Sequence, residues 1–223
     1  MQKLTEQSDL NSPQEYDKIF FERQKKGVDE HDMRRWKRLL KYYKGGQLID
    51  LGCLDSGIWK IRKRGYYLGI DVAEEAIKVM KKAARPVGGL TCFEVGDVYN
   101  LQIRRGGITE GGAEFGFDYA IMGEILEHLS EPEKAIKESM RILKPGGVLA
   151  ISTPLEEARE PGAVDKDRHL WSFTKRDIED MCRDANRMTG VKMKFETVGS
   201  LFTWKPPFYR YCWPSLIAFA WKN

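Results

Sequence analysis

Between Gln47 and Ser152 short apolar runs alternate with amphipathic segments of roughly ten residues, and no other feature of the chain narrows its fold as far. Gln47 to Leu51, Tyr66 to Asp71, Leu90 to Val95, Phe117 to Met122 and Val148 to Ser152 read as strands. Residues 57–64, Ala73 to Ala84 and Pro132 to Leu143 read as helices. Strands separated by single helices pair in parallel through right-handed crossovers, because a parallel neighbour is reached only by a long connection. Further on, Asp177 to Asn186 reads as a helix capped by Thr174, and Lys192 to Val198 and Leu216 to Trp221 as two last strands. The expected fold is α/β: a doubly wound, Rossmann-like, mostly parallel seven-stranded sheet with helices on both faces. Ahead of it, Pro13 to Lys44 repeats apolar residues at helical spacing and Gly27 splits the pattern in two. Residues 1–45 are therefore expected to form an N-terminal helical extension and residues 46–223 one sheet domain.

The 223 residues, 42% hydrophobic and 31% charged, suffice for a core without disulfide staples. Cys53, Cys92, Cys182 and Cys212 form no C-x-x-C pair, so they are expected to be buried thiols and no metal site is expected. No apolar run is long enough to span a bilayer, and Met1 to Asn11 is polar where a signal peptide is apolar, which predicts a cytoplasmic address. A net charge of +4 falls short of a dedicated nucleic-acid binder. Lys25-Lys26, Arg34 to Lys44 and Arg62-Lys63-Arg64 are basic enough to offer a phosphate-binding face, although such runs on helices are usually solvated.

Chemistry concentrates where strands end. Leu48-Ile49-Asp50-Leu51-Gly52-Cys53-Leu54-Asp55-Ser56-Gly57 is a strand, a turn of small residues and a helix start, which lets a ligand approach the backbone beside a helix N-terminus. About 20 residues on, Asp71 closes the second strand with Val72 beside it, and a carboxylate there can accept both hydroxyls of a ribose. Asp97, followed by Val98, ends the third strand. Each acid has a plainer reading: Asp50 ties down the turn, Asp71 caps the helix near Ala73, and Asp97 is a turn residue. Their common place at one edge of the sheet favours ligand binding. After the fourth strand, Gly123 leads into Glu124, Glu127 and His128, crowded into one turn. A carboxylate there can meet a cation or bind a substrate; alternatively Glu127 and His128 open the next segment and face solvent.

These stretches resemble the class I S-adenosylmethionine-dependent methyltransferases from about Gly46 onward. Asp50-Leu51-Gly52-Cys53 is similar to that family's first motif, Asp71 to its ribose-binding acid and Gly96-Asp97-Val98 to its adenine-side motif. Phe117 to Leu129 and Leu143 to Leu149 are similar to the motifs around the fourth and fifth strands of small-molecule methyltransferases, including the ubiquinone-biosynthesis O-methyltransferases. Arg168 to Thr174 resembles the family's H-x-x-x-F-T segment. The resemblance implies S-adenosyl-L-methionine as cofactor, held by Asp50, Gly52, Cys53, Gly57, Asp71, Val72, Asp97, Val98, Gly123 and Glu124. The chain departs from the family at Leu54 and Ser56, where glycines are usual; a leucine there narrows the site or marks a non-catalytic subunit.

The expected reaction is methyl transfer to a small-molecule acceptor at a hydroxyl oxygen, which needs a base; His128 and His169 are the candidates, since imidazole titrates near neutral pH. His169 has an alternative reading as a hydrogen-bonding residue at the helix entry. Competing functions are methylation of RNA or protein, and a dehydrogenase, for which the turn lacks the central glycine of G-x-G-x-x-G. The polar loop after Ser152 suits a lid, the loop from Gln102 to Gly116 an insertion, and the aromatic stretch Trp204 to Pro214 an acceptor wall or a subunit contact. A monomer or homodimer with no membrane span is expected.

Overall fold

In the computed structural model, which describes residues 1–3, 11–101, 116–155, 169–186, 192–198 and 215–222, the apolar runs lie side by side in a seven-stranded sheet. A two-residue strand β1 (Gln2–Lys3) precedes helices α1 (Pro13–Lys26) and α2 (Glu30–Leu39). Then come β2 (Gln47–Leu51), α3 (Ile58–Ile61), β3 (Tyr66–Asp71), α4 (Glu74–Ala83), β4 (Thr91–Val95) and β5 (Phe117–Gly123). A 3-10 turn (Leu126–His128), α5 (Pro132–Arg141), β6 (Leu143–Pro154), β7 (Trp171–Ser172), α6 (Lys175–Asn186), β8 (Met193–Val198) and β9 (Ser215–Trp221) complete the chain. The sheet order is β4-β3-β2-β5-β6-β9-β8. Pairings from β4 to β6 are parallel, while β9 runs antiparallel to both β6 and β8. The connections reverse direction between β2 and β5, which opens a crevice beyond the carboxyl ends of those strands.

Alternate residues of each central strand feed opposite faces. Ile49, Leu51, Ala120, Met122, Leu149 and Ile151 pack against α5 and α6 through Ile136, Met140, Ile178 and Cys182. Leu48, Tyr67, Tyr119, Ile121 and Ala150 meet the other layer, to which α4 gives Ile77 and Met80 and the N-terminal helices give Phe20, Trp36 and Leu39. The N-terminal helices are thus part of one core layer of the sheet.

Local chemistry sets the ends of these elements. Ser12 accepts the Glu15 N–H ahead of α1, Asp29 accepts the Asp32 N–H ahead of α2, and Gly27 at φ +74° separates the two helices as its sequence position suggests. Before α6, Thr174 and Asp177 exchange side-chain-to-backbone bonds in a capping box. Two expectations need correction. The helix expected over 57–64 stops at Ile61, because the Arg62 guanidinium turns inward and donates to the carbonyls of Trp59, Val87, Gly89 and Leu90. The strand expected from Val148 begins at Leu143, with a bulge between the Phe117–Leu143 and Tyr119–Val148 pairs and Gly146 at φ +76°. The antiparallel pair of β1 with β7 has no sequence signal, since each strand is two residues long. No helix among the described residues is long and apolar enough to cross a membrane. The loops expected at 102–115 and 156–168, the aromatic segment 204–214 and Cys212 lie outside the described residues.

Candidate active site

The parallel strands β2 to β5 end at a cavity of about 770 Å³, in the upper part of the range of roughly 300–1,000 Å³ usual for small-ligand sites. Gly52 and Leu54 line it after β2, Asp71 and Val72 at the end of β3, Gly96 to Tyr99 after β4, and Glu124, Ile125 and Glu127 to Ser130 after β5. His169 lines it from the segment ahead of β7. Tyr16, Ile19, Arg23 and Lys26 of α1, with Asp32 and Arg35 of α2, contribute to the opposite wall. Of the residues singled out from the sequence, Gly52, Asp71, Val72, Asp97, Val98, Glu124, His128 and His169 meet around this one space. Asp50, Cys53, Gly57 and Gly123 are not in its lining.

The turn after β2 is braced from below. Gly52 has φ +70°, and a Cβ there would lie 2.3 Å from Ile125 Cδ1. Leu54, where the family's glycine is missing, is held at φ +30°, a conformation that costs a side chain about 1–2 kcal/mol. Asp71 helps to hold it: Oδ2 accepts the Leu54 N–H at 2.9 Å and Oδ1 accepts the Ala73 N–H at 2.9 Å. Asp71 therefore does tie the approach to α4, and it faces the cavity as well. Burial pushes its carboxyl up, and the backbone N–H donors pull it back. Asp50 lies beneath the turn, where it accepts the Tyr67 hydroxyl at 2.7 Å and bonds to Ser56. Burial lifts its carboxyl to about 7. Cys53 is buried and its thiol is pushed well above the ordinary range by burial. Gly57 serves packing: a Cβ on it would lie 2.4 Å from the Trp36 ring. Asp97 is exposed, its Oδ1 accepting the Tyr99 N–H at 2.8 Å.

The turn after β5 is the most unusual part of the wall. Glu124 is held at φ +54° by its N–H bond to the Ser152 carbonyl, with Oε1 buried and lacking a hydrogen-bond partner and Oε2 3.9 Å from Arg35 Nη1. Arg35 gives Nη2 to Asp32 at 2.6 Å, while its Nε is also buried without a partner. Arg23 bridges Asp55 and Asp32 at 2.9 and 3.1 Å and so links α1 to the turn after β2. Glu127 does not face solvent, as one reading of the sequence has it: it is 1% exposed. Its carbonyl accepts the Leu170 N–H at 2.6 Å, which draws the segment carrying His169 over it, and the Thr153 hydroxyl donates to Oε2 at 3.2 Å. Burial, and next the Glu124 charge, raise the Glu127 carboxyl to about 8, with His169 opposing. The His128 and His169 rings stand edge to face with centroids 5.0 Å apart.

Sequence reasoning missed Arg23 and Arg35. A signal existed for Arg35, since it lies four residues before Leu39 and so shares a helix face with a core residue.

Residues 49–151 match the family model described as a methyltransferase domain. The "Probable methyltransferase ltbC" of Aspergillus luteorubrus is 31% identical over 149 residues, which cover 60% of this chain and 48% of that protein. The tRNA (carboxymethyluridine(34)-5-O)-methyltransferase of Arabidopsis thaliana is 29% identical over 125 residues, covering 55% of this chain and 27% of that one. The chain thus spans about half or less of the length of these curated relatives. Among solved structures, the methyltransferase in complex with the Trm112 activator of Haloferax volcanii shares the fold at a TM-score of 0.68, with 17% identity over 94% of this chain and 96% of that one. The domain match covers the strands whose ends carry the site, and the solved methyltransferase shares the sheet that holds them.

Proposed function

We propose that this chain is a class I S-adenosylmethionine-dependent methyltransferase that transfers the methyl group to a hydroxyl oxygen of a small-molecule acceptor. The observation that carries this reading is the cavity, which runs between the helices α1 and α2 and the strand ends, and has acids of β3 and β4 in one part and Glu127, His128 and His169 in another. The donor set suits S-adenosylmethionine. In this reading Asp71 takes the ribose hydroxyls, Asp97 and Val98 the adenine, and the two unpartnered atoms Arg35 Nε and Glu124 Oε1 the carboxylate and ammonium of the amino-acid end, a reading supported by their common place around the cavity. Gly52 and Leu54 back the cofactor, and Asp50, Cys53, Gly57 and Gly123 support that wall from outside the lining. The acceptor then enters beside His128 and His169. When bound, S-adenosylmethionine would supply the methyl group and keep the carbon–sulfur pair on its sulfur, while His128 or His169 would take the hydroxyl proton from the acceptor oxygen that forms the new bond.

The basic runs favour a small acceptor over RNA. Arg62 is 2% exposed, Arg38 and Lys41 pair with Glu196, Arg34 pairs with Glu30, and Arg64 donates to the Lys44 carbonyl. Such engaged cations offer little to a phosphate chain. The decisive experiment is a donor-consumption screen against phenols, sugars, carboxylates, amines and tRNA. Turnover on hydroxyl compounds is expected, with His128→Ala and His169→Ala lowering kcat far more than affinity for S-adenosylhomocysteine. Asp71→Ala should do the reverse and weaken that affinity more than tenfold, about 1.4 kcal/mol. Turnover on tRNA alone would overturn the small-molecule reading.

A further inference from the structure

We propose that Glu127, His128 and His169 together bind one divalent first-row transition-metal ion at the acceptor side of the cavity. A Glu127 carboxylate oxygen and one ring nitrogen from each histidine all lie within 4.8 Å of one another. Bonds of about 2.0–2.2 Å set ligand atoms around one ion roughly 3–4 Å apart, so small side-chain rotations close the set. A second observation points to the same ligand. Glu127 is 1% exposed and lines the cavity, and while Oε2 takes the Thr153 hydroxyl, Oε1 is buried without a hydrogen-bond partner. A bound ion would supply the partner that this buried carboxylate oxygen lacks. Two imidazoles and one carboxylate suit zinc, iron, cobalt or manganese better than magnesium or calcium, which take oxygen ligands. Three protein ligands also leave coordination positions open toward the cavity.

The scaffold holds these groups in place independently of any ion. The Glu127 carbonyl receives the Leu170 N–H, Asn11 Nδ2 donates to the His128 carbonyl at 3.5 Å, and the Tyr16 ring stands edge-on to His128. Among the described residues the other grouping of this kind, Asp29, His31 and Asp32, has its carboxylates engaged: Asp32 by Arg23 and Arg35, and Asp29 by the α2 N-terminus.

The inference rests on the acceptor side proposed above and supplies its chemistry. A hydroxyl bound at an open position of the ion gives up its proton to water more readily. Its oxygen pair forms the bond to the methyl carbon while the carbon–sulfur pair stays on sulfur. His128 and His169 then act as ligands in place of acting as bases.

The test uses the full chain, free of affinity tag and stripped by a chelator. Co²⁺ is titrated and followed by its visible absorption, Zn²⁺ by calorimetry, and S-adenosylhomocysteine binding is measured separately on the metal-free protein. One equivalent of Co²⁺, displaced by Zn²⁺, is expected. Glu127→Gln and the double variant His128→Ala/His169→Ala should weaken it at least about 100-fold, and His31→Ala should leave it unchanged. Absence of Co²⁺ and Zn²⁺ binding by the folded wild type, or binding unaltered in both site variants, would overturn the site. Metal binding as expected without S-adenosylhomocysteine binding upholds the site and overturns the cofactor placement instead.

Discussion

Burial lifts the Asp50 carboxyl from its ordinary 3.8 to about 7, and this ties the stability of the protein to pH. Between about pH 4 and 7 this carboxyl keeps in the folded chain a proton that the unfolded chain has released, so its contribution to stability falls as pH rises through that window and levels off above it, while Glu127, raised to about 8, adds a decline of the same sign. The full effect of Asp50 is on the order of 4 kcal/mol. Asp50→Asn, which still offers the Tyr67 hydroxyl an acceptor, should flatten the decline; urea denaturation at pH 4.5 and 7.5 measures it, and parallel profiles for the two proteins would refute it. Arg35 supports a second prediction at this scale. If its Nε takes the cofactor's carboxylate, Arg35→Ala should weaken S-adenosylmethionine by about 10–100-fold, the worth of a charged hydrogen bond, and decarboxylated S-adenosylmethionine hardly at all. Equal losses for both ligands in calorimetry would remove Arg35 from that role. Both residues were in plain view in the sequence, but Asp50 was read as a site residue because an acid beside a glycine turn is a local pattern, whereas Arg35 was read only as one member of a basic run. What Arg35 faces depends on how α2 lies across the strand ends.

Packing of α2 against the turn after β2 is the element-scale counterpart. The Trp36 ring fills the place a side chain at position 57 would take, 2.4 Å from its Cβ, so Gly57→Ala must push the helix or the turn away. A loss of about 1–3 kcal/mol in stability is expected, read as a lower melting temperature. An unchanged melting temperature would mean that the contact yields freely. Gly57 was drawn from the sequence as a cofactor residue because it sits in the glycine turn, and the structure shows it at the joint between that turn and α2. Most elements were legible to within a residue or two, since apolar spacing, Gly27 and Thr174 mark them locally. The early end of α3 and the early start of β6 were not. The first depends on Arg62 finding backbone carbonyls of the 87–90 segment, and the second on Leu143 pairing with Phe117 across the sheet.

For the whole molecule, a net charge of +4 allows nucleic-acid binding, but the arrangement of charge argues against it. The cations of the basic runs are partly drawn into pairs with Glu30, Asp32 and Glu196 or into the core. At physiological salt, fluorescence anisotropy with tRNA is expected to show no submicromolar binding, and a submicromolar constant would revive the RNA reading. The N-terminal helices also change meaning at this scale. Read along the chain they are an extension; folded, they carry Phe20, Trp36 and Leu39 into the core and Arg23 and Arg35 to the cavity. By itself the sequence determined the order of strands and helices, the parallel run from β2 to β6 and the acids at the strand ends. Those are properties of local periodicity and turn chemistry, which neighbouring residues settle among themselves. Only the tertiary structure decided that Asp50 and Gly57 stand behind the cavity wall, that α1 and α2 complete it, and that Glu127 is buried with His128 and His169 beside it. Each of those outcomes is a contact between segments distant in the chain, and its energy exists only once the sheet has brought them together.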